Sequence, residues 1–371
     1  MSKTPKKTSK PSVAKRATVP PQADFDVVLD LIAAARTRAV AAVNTTIIEL
    51  YGNIGRYISR KIAEDGWGKG TVKVLSETIQ RRFPGVTGYS AQNLWRMRQF
   101  FETYQDKPKL SALVRELSWT HNLVVIGKCK RDEEREFYLR ISIQERWHYR
   151  QLERQIAGAL FERVVLSPTK LSAPLRELHP EAATAFKDSY LVEFLDLPRD
   201  HSERDLQQGL IEHLKRFLIE LGRDFCFAGS HYPLQVGGRD FFLDLLFFNR
   251  ALNCLVAFEL KIDEFQPEHL GKLEFYLEAL DRDVKKPHER PSIGVLLCAT
   301  KDHEVVEYAL SRAMSPALVA EYQTRLPDKT LLQAKLHEFY EQAQQQAKLP
   351  SIEPKNPATR QPKKPGKARK K

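Results

Sequence analysis

The chain has 371 residues, 42% of them hydrophobic, too many for one ordinary core and apolar enough to fold, so two domains with tails are expected. It opens MSKTPKKTSKPSVAKR with no hydrophobic stretch behind, and no apolar run approaches a membrane span, which argues against secretion and anchoring and leaves the cytoplasm as the expected compartment. Cys129, Cys226, Cys254 and Cys298 lie far apart without CxxC spacing, which disfavours a zinc ribbon or a disulfide framework.

The formal net charge of +12 is unevenly spread. Residues 1–22 hold six Lys/Arg and no acid, and residues 348–371 hold nine against one Glu. Such basic, Pro-rich tails read as disordered segments that attract polyanions without sequence preference, or that simply keep the chain soluble. Between the tails, 23–165 carries 23 basic against 17 acidic residues, and 166–347 carries 21 against 29. The polarity is thus split by domain, basic in the first and acidic in the second.

From Asp24 to Ile62, Val28, Leu31, Ile32, Ala35, Val43, Ile47, Leu50, Ile54 and Ile58 recur at helical spacing, giving one apolar-faced helix or a helix pair. Gly66-Trp67-Gly68-Lys69-Gly70 breaks it, and Val72 to Phe83 reads as a further helix stopped by Pro84-Gly85. Ser90 is placed as N-cap of the helix AQNLWRMRQFFETY, so the mostly helical domain at 23–166 contains a helix-turn-helix-like element. Gln92, Asn93, Arg96 and Gln99 face outward in this reading, while Leu94, Met97, Phe100 and Phe101 face the core. With Arg98, these polar side chains suit base edges and phosphates, and they equally describe any solvated helix face. Residues 167–200 are richer in Pro and lack a long period, so they are expected to be a linker.

The second domain, 201–347, reads as a helix at 203–221, strands near 225–236, 241–248 and 255–262, a helix at 267–281 and a strand at 292–299, an αβββαβ order. Helical patterns at 303–314 and 330–347 follow. Asp244 interrupts the apolar run Phe241 to Phe248, and Glu259 and Lys261 interrupt Leu255 to Lys261 on one face. Charges in such strands are paired with a cation or coordinate a metal. Pairing Asn249 with Cys254 makes partner numbers sum to 503 and sets Asp244 opposite Glu259. Like charges there, roughly 5 Å apart, are destabilising unless a cation lies between them. Lys261 in a salt bridge with Asp244 or Glu259 satisfies that demand; so does a divalent Mg²⁺ or Mn²⁺ on carboxylate oxygens, with Lys261 orienting or deprotonating a water and stabilising phosphate charge.

The runs DFFLDLLFFNRALNCLVAFELKIDEFQPEHLGKLEFYLEALD and PSIGVLLC, with GWGKGTVKVLSETIQRRFPGVTGYSAQNLWRMRQFFETY, LSWTHNLVVIGKC and EREFYLR earlier, resemble the YhcG-type nucleases, whose C-terminal domain is of the PD-(D/E)xK, restriction-endonuclease-like superfamily. The resemblance covers nearly everything between the tails. It implies Asp244 and Glu259 as metal ligands, the backbone carbonyl of Leu260 as a third, and Lys261 as the catalytic lysine. It adds Glu203 as a further acid near the metal, although an acid beside the N-cap Ser202 is favoured on electrostatic grounds alone. Two departures stand out: Leu243 replaces the motif's Pro, and Lys272 occupies a helix position where many members carry Gln. Lys272 is accordingly a nucleic-acid contact in this reading. Tyr276, Lys285 and Lys286 are weaker phosphate contacts, and His231, His269 and His303 lack ligand spacing.

The expected activity is Mg²⁺- or Mn²⁺-dependent hydrolysis of nucleic acid, above all DNA, by a bacterial protein. A homodimer is one assembly that would cut both strands. The rival reading is a catalytically silent nucleic-acid-binding or complex-forming subunit that keeps a nuclease-like fold.

Overall fold

The computed structural model describes residues 22–198 and 200–348, with side chains described over 42–198 and 200–341. Tail residues 1–21 and 349–371, and the side chains of Val28, Leu31, Ile32 and Ala35, lie outside the described part. Contacts divide the chain into two compact units, Met1–Glu153 and Arg154–Lys371. Among the described residues no helix is long and apolar enough to cross a membrane.

The first unit is helical: α1 (Gln22–Asp65), α2 (Lys69–Arg82), α3 (Ala91–Tyr104), α4 (Pro108–Val114), α5 (Trp119–Lys128), α6 (Asp132–Gln144) and the start of α7 (Tyr149–Ala157). The first apolar pattern is thus one continuous helix. Ile58 on α1 meets Val72, Leu94 and Met97, all fully buried. A Cβ at Gly55 would stand 2.1 Å from the Met97 carbonyl oxygen, so α1 and α3 approach as closely as a glycine permits. Residues 83–90 join α2 to α3 by more than the three or four residues of a compact helix-turn-helix. Side chains tie that connection down: Ser76 Oγ donates to the Tyr89 carbonyl at 2.8 Å and Gln80 Nε2 to the Val86 carbonyl at 3.0 Å. Ser90 caps α3, accepting from Asn93 N.

The second unit continues with α8 (Leu160–Leu166), α9 (Ala173–Leu178), α10 (Ala182–Ala185), β1 (Ser189–Leu191), a 3₁₀ turn at Glu193–Leu195, α11 (Glu203–Glu212), α12 (Leu214–Leu221), β2 (Phe225–Val236), β3 (Arg239–Asn249), β4 (Cys254–Glu264), α13 (His269–Ala279), β5 (Arg290–Thr300), α14 (His303–Ser311), β6 (Ala317–Gln323) and α15 (Lys329–Lys348). The expected αβββαβ succession is present from α11 to β5, with the first helix broken at His213. Residues 167–200 differ from the expected linker. Pro174 lies in the first turn of α9, and β1 pairs parallel to β6 with Tyr190 and Leu191 fully buried. This stretch is folded into the second unit because Leu171, Leu175, Phe186, Tyr190 and Val192 are buried in one core with α11 and α12.

The six strands run β1-β6-β5-β4-β3-β2, antiparallel from β2 to β4 and parallel from β4 to β1. Alternate residues feed two cores, as the period of a strand requires. Phe247, Val256, Phe258 and Val295 meet Leu206, Leu210 and Phe217 of α11 and α12 on one face. Leu246, Ala257 and Leu296 meet Leu270, Leu273 and Leu277 of α13 on the other.

Candidate active site

The β3–β4 ladder has the expected register, from Asn249↔Cys254 to Leu245↔Phe258, and stops one pair before Asp244 and Glu259. On the other side of β3, pairing runs Ser230↔Leu245 and then Tyr232↔Leu243, passing over His231 and Asp244. His231 adopts a left-handed backbone, φ 47°. The same point interrupts the facial alternation, since Leu245 lies in the α11/α12 core while Leu243 lies in the α13 core. Asp244 thus sits at a kink where β3 parts from β4, and its side chain replaces a ladder bond: Oδ2 accepts from Leu260 N at 2.8 Å. Gln207 on α11 holds the kink from the other side, donating to the Asp244 carbonyl at 2.9 Å.

Glu259 is fully buried at the mouth of this fork. Its Oε1 takes Lys272 Nζ at 2.5 Å and Lys261 Nζ at 3.2 Å, whereas Oε2 is buried without a hydrogen-bond partner. Lys261 also donates to Glu203 Oε1 at 3.1 Å and to the Leu260 carbonyl at 2.8 Å. Burial first, and Glu259 second, push the Asp244 carboxyl up to about 6. For Lys261, burial pulls the ammonium down, but Glu259 and Glu203 outweigh it and set the group above its ordinary value. Lys272 is likewise raised, burial being outweighed by its bond to Glu259.

The donor set fits a hard divalent cation: two carboxylates at one fork, one oxygen buried and unpartnered, and a backbone carbonyl between Glu259 and Lys261. A buried, unsatisfied carboxylate oxygen is costly unless something positive completes it. Among the described residues no three His, Cys, Asp or Glu side chains form a metal-binding group. Glu203, its side chain about half exposed, is brought to Lys261, whose Nζ it shares with Glu259.

Of the other residues read from the sequence, Lys272 and Tyr276 join the site; Lys272 Nζ stands 5.4 Å over the Tyr276 ring, and Tyr276 Oη donates to the Phe242 carbonyl at 2.9 Å. Lys285 instead faces the Glu289 carbonyl, and Lys286 is exposed. His231 stacks on Phe242, and His269 Nδ1 meets Gln266 N. In the first unit Gln92, Arg96 and Gln99 are exposed on α3. Asn93 is taken up structurally, bonding the Gly88 carbonyl and Trp119 Nε1, and Arg98 pairs with Glu102 at 2.7 Å. Tyr104, not Phe101, completes the buried face of α3. Gln207 was missed by sequence reasoning, although it lies one helical turn after Glu203 and so shares its face.

Residues 183–337 match the YhcG PDDEXK nuclease domain and residues 27–163 the DUF1016 N-terminal domain. A relative from Escherichia coli (strain K12), described as "Putative nuclease YhcG", is 32% identical over 359 residues, which cover 86% of this chain and 95% of the relative. The chain belongs to the YhcG family. Asp244, Glu259 and Lys261 fall within the part that matches this family's PDDEXK nuclease domain, and the exposed polar face of α3 falls within the DUF1016 part. Two solved structures resemble part of the chain: a repair endonuclease from Pyrococcus abyssi at 13% identity, and EndoMS in apo form at 16%, both with a TM-score of 0.23. Each likeness covers 35% of this chain and about half of the other, 49% and 48% respectively, and neither TM-score is high enough to bear on activity.

Proposed function

We propose that this YhcG-family chain is a metal-dependent nuclease that hydrolyses phosphodiester bonds in DNA. The observation that carries the reading is the half-satisfied Glu259 carboxylate, buried beside Asp244 where β3 leaves β4. Asp244, Glu259 and the Leu260 carbonyl are the groups that would hold Mg²⁺ or Mn²⁺. When bound, such an ion supplies Lewis-acid polarisation of the phosphodiester and a water activated near neutral pH. Lys261, steered by three oxygens, presents an ammonium that donates hydrogen bonds and stabilises negative charge as it develops on the phosphate. Gln207 fixes the Asp244 backbone, so the carboxylate keeps one orientation as substrate arrives. Lys272 sits where a phosphate oxygen can draw it from Glu259, its side chain half exposed.

The test compares wild type with Lys261→Ala on linear, supercoiled, single-stranded and branched DNA, with Mg²⁺, Mn²⁺ or chelator. The expected result is metal-dependent cleavage in wild type and a loss of roughly 10²–10³-fold in the variant, with DNA binding retained. Binding by both proteins without cleavage under any condition would sink the nuclease reading in favour of a silent binding subunit.

A further inference from the structure

Beyond the point where β3 leaves β4, Tyr232–Val236 and Arg239–Leu243 continue as a two-stranded ribbon closed by Gly237 and Gly238. Leu234 and Leu243, with Tyr232, Val236 and Phe241, pack its inner side on the α13 core. His231, Pro233, Gln235 and Phe242 are exposed. Phe242 is 42% exposed, and the His231 ring lies parallel to it, centroids 4.3 Å and planes 6° apart. One exposed phenylalanine is ordinary. Here, however, the second ring is laid on it by a left-handed backbone, a conformation uncommon for a residue with a side chain, at the position where pairing to Asp244 is skipped. The ribbon is also tied to the site. Tyr276 joins the Phe242 carbonyl to the Lys272–Glu259 pair, and Asp244 follows Phe242 by two residues on the same strand.

We propose that the His231–Phe242 ring pair is a stacking platform for unpaired bases of a single-stranded DNA segment beside the scissile phosphate. This rests on the nuclease reading and narrows its substrate. The occupant follows from chemistry and from continuity with the site. Stacked aromatic faces take any base, whereas groove readers need free donors and acceptors aimed at base edges. On the rings' own face, Gln235 Nε2 is turned onto Asp240 Oδ1 at 3.3 Å, so the ribbon's amide there is engaged rather than aimed at a base edge. Arg239 is exposed at the ribbon's closed end, and Lys272 stands over Tyr276 on the α13 side, bonded to Glu259 of the site.

The experiment uses the full chain in chelator, so that nothing is cut, with a single-stranded oligonucleotide carrying 2-aminopurine and a duplex of the same sequence. Wild type, Phe242→Ala, Phe242→Trp and His231→Ala are compared by fluorescence quenching and anisotropy. Phe242→Ala is expected to lose the quenching and to bind the single strand roughly 5- to 100-fold more weakly, while duplex affinity changes less than about twofold. Phe242→Trp restores both signals, and His231→Ala lies between. Unchanged single-strand affinity in Phe242→Ala, or equal losses on single strand and duplex, overturns the platform while leaving the nuclease reading intact. Failure of wild type to bind the single strand overturns the platform as well, and the cleavage assay with metal decides the nuclease reading separately.

Discussion

Glu220 and Glu259 are both fully buried glutamates of the second unit, and they are treated oppositely. Around Glu220 each carboxylate oxygen is satisfied: Lys187 and Leu191 N reach Oε1, both at 3.2 Å, and Arg154 and Gln155 reach Oε2, both at 2.9 Å. Burial raises that carboxyl, but Lys187, Arg154 and Arg163 outweigh it and hold it down at about 2. Glu259 has two lysines on one oxygen, nothing on the other, and a second carboxylate nearby. A closed ion network reads as architecture, and a half-satisfied carboxylate beside a second carboxylate reads as the place the proposed metal would take.

The same substitution at the two positions sharpens the contrast. Glu259→Gln is expected to lower cleavage by roughly 10²–10³-fold. It should leave the melting temperature nearly unchanged, because it relieves Asp244 and Lys261 keeps Glu203. Glu220→Gln should do the reverse, costing about 3–5 kcal/mol because the buried Lys187 is left without its anion, although Arg154 keeps Glu193. That corresponds to a fall of roughly 6–20 °C by calorimetry for a unit of this size. Equal thermal effects at the two sites would erase the distinction.

Acid titration tests it next. The folded Glu220 value of about 2 lies below the ordinary 4.5, so its contribution to stability is complete above about pH 4.5 and is lost as pH falls toward 2. The melting difference between wild type and Glu220→Gln should narrow over that window and stay constant above it. The smallest effect is expected at Lys272. Its side chain is half exposed and Glu259 keeps Lys261, so Lys272→Gln should slow cleavage on the order of tenfold, measured in single turnover, without a thermal change.

The sequence made one of these glutamates legible and hid the other. Glu259 stands out because it interrupts an apolar strand and because the Asn249–Cys254 turn fixes its register against Asp244. Glu220 lies in an ordinary amphipathic helix, and its partners Arg154, Gln155, Leu191 and Lys187 come from distant segments that no local pattern brings together. The same limit hid β1 and β6. Ser189–Leu191 is too short to show a period, and the first four residues of Ala317–Gln323 are all buried, so no alternation marks it. Lying among prolines, 167–200 resembles a connection until β6 gives its short strand a partner. The kink at Asp244 was unreadable for a different reason. Its device is a left-handed His231, where sequence would call for Gly or Asn.

That kink also bears on self-association. As the last strand of the sheet, β2 presents an outer row of peptide groups over twelve residues, a template on which another extended chain can assemble. The register shift at Phe227/Gly229, the reversed backbone at His231 and the missing amide hydrogen of Pro233 interrupt that row at three successive points. Copies of this protein therefore find no uninterrupted margin along β2 on which to join sheet to sheet, and concentrated solutions should resist fibrous aggregation from this side.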